Sequence, residues 1–184
     1  ISAVGAKLAY NAGSIIGKNG FNLVNGLALG CDAEALKGAL AAGGKCAVVL
    51  PCGINEIYPK SNQWIAEEVL KQGGCLISEY PEGTRPEKYR FVQRDRLQSG
   101  MSQGVLVVEA MEKSGTMHTA EYAKKQNKPI VINNSWGTSM SILYMFSRVT
   151  AYGEEHMPKE YKFLLYCVAL DIMEHLLEAD RTDF

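Results

Sequence analysis

Asn25-Gly26-Leu27-Ala28-Leu29-Gly30-Cys31-Asp32 is the stretch on which the fold turns. A largely apolar run at 21–25 leads into it and a helical pattern at 33–42 leads out, so it reads as strand, two-glycine loop, helix. Glycine admits positive φ and lets backbone pass close to other atoms. The N–H groups opening the next helix have no partners within it and carry the positive end of the helix dipole. The loop is therefore either a tight turn with Asp32 as helix cap or an anion site suited to phosphate. Gly26, Gly30 and Asp32 are its candidate residues.

The same unit recurs outward from this stretch. Strand patterns stand at 46–51, 75–80, 105–109 and 129–133. Helical patterns stand at 3–19, from 61 or 62 to 72, and at 116–127, 139–146 and 160–177. Several strand runs are apolar nearly throughout, as expected when both faces of a parallel sheet are covered. The order predicts an α/β fold: a doubly wound, mainly parallel sheet with flanking helices and right-handed crossovers. The helix at 3–19 has no strand before it. A sheet of this class opens with a strand and glycine turn, so that strand is expected to be absent or to lie upstream of Ile1.

Composition sets the remaining bounds. With 184 residues, 47% apolar and 21% charged, the chain reads as one globular domain rather than a disordered or coiled-coil protein. The net charge of −1 (19 − 20) argues against a strongly basic nucleic-acid binder. It hides a split, however: residues 1–150 carry 16 − 12 = +4 and residues 151–184 carry 3 − 8 = −5. The expected division is a body at 1–150 and an acidic helical appendage at 151–184. Cys31, Cys46, Cys52, Cys75 and Cys167 form no CxxC pair and read as reduced, buried small apolar residues. Neither a membrane-spanning run nor a signal peptide is legible, which points to the cytoplasm.

Three further segments carry chemistry. Ser114-Gly115-Thr116-Met117-His118-Thr119 follows Val107-Val108-Glu109-Ala110. It repeats the glycine-loop logic, with Ser114, Gly115, Thr116 and Thr119 as phosphate candidates or ordinary caps. Residues 84–97 hold Arg85, Lys88, Arg90, Arg94 and Arg96 against Glu87 and Asp95, a net of 5 − 2 = +3, with Tyr89 and Phe91 interleaved. Arginine binds phosphate in two-pronged fashion and aromatics stack on bases. Arg94-Asp95-Arg96 is expected near a helix start. Residues 52–62 place Lys60 as a point cation before a helix capped by Ser61 or Asn62. In a parallel sheet all these loops gather on one edge.

Glu79 and Glu109 end strands on that edge and suit a ribose or a general base. His118, His156 and His175 lack metal-ligand spacing, and no nucleophile pattern is present. No catalytic residue, metal or cofactor is expected.

In order, five motifs resemble the DNA-processing protein A family (DprA/Smf). They are Gly26-Leu27-Ala28-Leu29-Gly30-Cys31-Asp32-Ala33, Tyr58-Pro59-Lys60-Ser61-Asn62 and Ser78-Glu79-Tyr80-Pro81-Glu82-Gly83-Thr84, then Phe91-Val92-Gln93-Arg94-Asp95-Arg96 and the Val107 to Ala120 segment. The resemblance spans about residues 2–134. It implies a Rossmann-like domain, single-stranded DNA binding, homodimerisation, and delivery of a RecA-type recombinase onto DNA during natural transformation, without enzyme activity. It places Gly26, Gly30 and Asp32 in the first loop, Lys60 at a phosphate, Arg94 and Arg96 in the basic strip beside Arg90, and Ser114, Gly115, Thr116 and Thr119 in the last loop. The family's arginine segment usually reads Phe-Pro-x-Arg-Asn-Arg, so Val92 and Asp95 depart from it, as Asn25 does from the usual Ser. The alternative is a nucleotide-binding sensor or an enzyme cleaving nucleoside monophosphates. The cytokinin-activating family of that kind carries Pro-Gly-Gly-x-Gly-Thr, of which only Ser114-Gly115-Thr116 has a counterpart here.

Overall fold

The computed structural model describes residues 1–111 and 114–132. Helix α1 (Ala3–Lys18) starts at Ser2, whose hydroxyl accepts from Gly5 N. Strand β1 (Leu23–Asn25), α2 (Cys31–Ala41), β2 (Cys46–Val49), a 3₁₀ turn (Lys60–Asn62), α3 (Gln63–Lys71) and β3 (Cys75–Ile77) follow. Then come α4 (Lys88–Met101), β4 (Val105–Val107), α5 (Thr116–Lys125) and β5 (Ile130–Ile132). The alternation is the α/β order expected from the sequence.

All strand pairs are parallel. β1, β2 and β3 form one sheet in that order, with Leu23 opposite Cys46 and Val48 opposite Leu76. β4 and β5 form a second, with Val105 opposite Ile130. Among the described residues the two sheets share no strand pairing. Each strand is shorter than its apolar run. At 75–80 the cause is visible: Ser78 Oγ donates to Cys52 O and accepts from Tyr80 N, drawing the chain out of the ladder.

The main core lies around β2, where Val48 and Leu50 pack with Leu27, Leu36, Ile65 and Val69. A second cluster joins Leu8, Ala9 and Ala12 of α1 to Val108 beyond β4. α4 starts six residues before Arg94, so Arg94-Asp95-Arg96 lies in mid-helix and not near a helix start. Cys46 and Cys52 are buried, but Cys75 is exposed at the start of β3, contrary to the expectation for all five. The helices expected at 139–146 and 160–177, the appendage at 151–184, and Trp136, His156, Cys167 and His175 lie outside the described residues.

Candidate nucleic-acid interface

The loop between β1 and α2 is held in an unusual backbone conformation. Leu27 is fully buried and has φ 59°, a region that bulky side chains avoid. Four side chains fix it there. Asn25 Oδ1 accepts from Leu27 N at 3.1 Å, and Asn25 Nδ2 donates to Asp32 O at 2.9 Å. Asp32 Oδ2 accepts from Gly26 N at 2.9 Å and Ala28 N at 3.1 Å. Asn62 Nδ2 donates to Leu27 O at 2.9 Å and Ala28 O at 3.3 Å. Arg94 Nη1 donates to Gly26 O at 2.9 Å and Val49 O at 2.6 Å.

Asp32 is therefore not the cap of α2. The helix begins one residue before it, at Cys31, and Gly30 takes the cap position with φ 88°, a conformation suited to glycine. No side chain caps α2, because the Asp32 carboxylate is turned back onto the loop amides. Asn62 likewise caps nothing: its amide reaches the β1–α2 loop instead. An uncapped helix start presents N–H groups to an anion. Leu29, beside it, is 69% exposed.

Arg94 lies under this loop, only 5% exposed. Its Nε sits 3.3 Å from Asp95 Oδ1, and its guanidinium carbon stands 5.9 Å from the Phe91 ring centre. In the amide orientation that satisfies both groups, Gln98 accepts from Arg94 Nη1 and Nε at 2.9 Å each. Burial lowers the Arg94 pKa, opposed by the charges of Asp32 and Asp95. Burial also pushes Asp95 up to about 6, with Asp32 pushing the same way and Arg94 and His118 opposing it. Gly26 is required here because a Cβ would overlap Arg94 Nη1.

The outer cations are arranged differently. Arg96 donates to both oxygens of Glu79 at 2.6 Å, with both side chains more than 40% exposed. Arg90 is stacked between Tyr80 and Tyr89, at 5.1 and 5.3 Å from their ring centres, donates to Arg85 O and pairs with Glu87 at 3.2 Å. Lys60 is exposed at the first residue of the 3₁₀ turn, and Lys88 at the first residue of α4. Tyr58 meets Phe91 edge-on at 5.6 Å, so the Lys60 segment and the start of α4 adjoin. Gly53 N bonds Thr84 O and Gly83 N bonds Asn55 Oδ1, tying the two loops together.

The second glycine loop is more loosely specified. Gly115 precedes α5 with helical φ of −57°, no side chain caps α5, and the enclosed Ser114 Oγ has no partner among the described residues. Gly115 and Thr116 are exposed and Thr119 is half-buried. The two carboxylates at the strand ends are already engaged: Glu79 by Arg96, and Glu109 by Ser2 N at 3.0 and 3.1 Å and Ser2 Oγ at 2.8 Å. Among the described residues no group of three His, Cys, Asp or Glu could hold a metal ion, and no helix is long and apolar enough to cross a membrane.

Motif reading missed Asn25 and Asn62 as holders of this loop, and Gln98 as a partner of Arg94. Asn62 bonds a residue 35 positions away and Arg94 one 68 away, and neither local spacing nor periodicity signals such contacts.

The chain is similar to known proteins over most of the described residues. The profile of the family described as DNA recombination-mediator protein A matches residues 1–143. Protein Smf of Synechocystis sp. is 42% identical over 113 residues, 61% of this chain and 28% of that protein. DNA processing protein DprA of Bacillus subtilis is 35% identical over 129 residues, 70% of this chain and 43% of that protein. This chain thus spans less than half the length of either relative. A solved structure of DNA processing protein A from Helicobacter pylori, described by its single-stranded DNA binding mode, superposes with TM-score 0.69 at 28% identity, covering 80% of this chain and 68% of that one.

Proposed function

The chain belongs to the DNA recombination-mediator protein A family, and from that premise we propose that it binds single-stranded DNA along the strand-end edge of its sheet. The carrying observation is one surface: the uncapped start of α2, exposed Lys60 and Lys88, and exposed Tyr58 and Tyr89 adjoin there. Cations meet phosphates while aromatic faces stack on bases of any sequence. Arg96 joins this surface by exchanging Glu79 for a phosphate. Arg90 lends charge from its stack between two tyrosines. Ser114, Gly115, Thr116 and Thr119 extend the edge as a second polar loop. The same reading includes a homodimer in the cytoplasm that delivers a RecA-type recombinase onto the bound strand, a binding factor rather than an enzyme.

The test is fluorescence anisotropy with a labelled oligothymidine over a salt series. Log affinity should fall linearly with log salt, by about 0.7 per phosphate neutralised. Lys60→Ala combined with Lys88→Ala should reduce that slope by about 1.4. Salt-independent or absent oligonucleotide binding, alongside a thermal shift with mononucleotides, would establish the nucleotide-sensor alternative instead.

A further inference from the structure

We propose that Arg94 and Asn62 are positioning residues: together they lock the β1–α2 loop into its binding shape from beneath, and neither touches the nucleic acid. The proposal rests on the single-stranded-DNA reading of that edge. Both side chains are over nine-tenths buried, Arg94 at 5% and Asn62 at 6% exposure. Both direct their donors at carbonyl oxygens of one three-residue segment: Gly26 O, Leu27 O and Ala28 O.

Two observations separate this from ordinary core packing. The locked segment contains the strained φ of Leu27, a conformation that persists only when its surroundings over-determine it. And the bonds come from two elements distant in sequence, the 3₁₀ turn and α4, which hold the loop jointly. The locked loop leads directly into the start of α2, which no side chain caps. A binding loop formed in advance loses little freedom when ligand arrives. Arg94 could turn outward to a phosphate only by giving up Gly26 and Val49, because its Nη1 serves both carbonyls and its Nε faces Asp95.

The salt dependence of binding distinguishes a positioning arginine from a phosphate-binding one. Removing a phosphate contact lowers the log–log slope by about 0.7, whereas deforming the loop lowers affinity and leaves the slope alone. Oligothymidine anisotropy should be measured for the wild type, Arg94→Gln, Asn62→Ala and, as the phosphate control, Lys60→Ala. Asn62→Ala and Arg94→Gln should each weaken binding about tenfold at unchanged slope. Asn62→Ala covers the case in which Arg94→Gln does not fold. A second readout is hydrogen exchange at the Leu27 and Ala28 amides, which should quicken in Asn62→Ala although their own acceptors, Asn25 and Asp32, remain.

A slope reduced by about 0.7 in Arg94→Gln overturns the proposal, because that is a phosphate contact. So does unchanged affinity in folded variants. If the wild type binds no oligonucleotide, the function proposed above fails. The exchange measurement still decides the lock: unaltered Leu27 and Ala28 exchange in Asn62→Ala refutes it.

Discussion

Asp95 is the residue whose chemistry is most out of place. It is buried, its ion-pair partner is the adjacent Arg94, and the Asp32 carboxylate is near enough to push its pKa up further. The family's usual residue here is asparagine, which would occupy the same space without a charge to bury. A folded-state pKa of about 6 lies above the ordinary carboxylate value of 3.8. Between those values the folded protein holds more protons than the unfolded chain, so this group's contribution to stability is full below pH 4 and lost as pH rises through 6. Asp95→Asn should therefore stabilise the protein at pH 8 and make little difference at pH 4. The gain is on the order of 1–3 kcal/mol, since a tenfold change in proton affinity is worth about 1.4 kcal/mol. Melting curves of both proteins across that range provide the check; an equal difference at both ends would contradict it.

At the scale of elements, α4 shows what could be read from the sequence and what could not. The strands were legible as short apolar runs, and α1, α2, α3 and α5 because each buries a stripe of apolar or small residues, as Leu36, Ala39 and Leu40 do in α2. The residues that α4 buries are Arg94, Asp95 and Ser99, so an apolar stripe is absent and its start could not be placed. Its neighbour α5 is joined to it by polar bonds: Ser99 Oγ to Gln126 Oε1 at 2.7 Å, and Gln126 Nε2 to Arg96 O at 3.0 Å. The same polarity explains the reading of the arginines. Composition marked 84–97 as a cationic strip, and Lys88 and Arg96 are indeed exposed there, Arg96 paired with Glu79. It could not tell that Arg94 points inward, since burial of a charge depends on carbonyls supplied by β2 and the loop after β1. Ser99→Ala removes the hydroxyl at this fully buried position without adding atoms. It should cost about 1–2 kcal/mol by leaving Gln126 without its donor, a fall of about 2–8 °C in Tm for a chain of this length. A change within 1 °C would mean that the α4–α5 contact does not depend on this bond.

At the scale of the molecule, the question is what joins two sheets that share no strand pairing among the described residues. Apolar packing of α1 on Val108 supplies part of the answer. The α4–α5 bonds supply another, and a third is Glu109, which lies just past β4 yet accepts from the backbone and hydroxyl of Ser2 at the start of α1. Ser2 is doubly employed, since its hydroxyl also accepts from Gly5 N as the helix cap. A carboxylate beside a helix N-terminus is favoured by the dipole, and its hydrogen bonds are stronger than neutral ones. The two side chains should therefore act as one unit. Ser2→Ala should cost about 1 kcal/mol as a lost cap, and Glu109→Ala about the same as a lost charge-assisted contact. The double variant should cost less than their sum by at least about 0.5 kcal/mol, the margin within which independent sites add. Urea unfolding of the four proteins closes the cycle. Additive costs would mean that Ser2 caps α1 by itself and Glu109 contributes no link between α1 and β4. Coupled costs would make this polar clasp, together with the Leu8–Val108 packing and the α4–α5 bonds, part of what lets a loop on β1 and a loop after β4 present one edge.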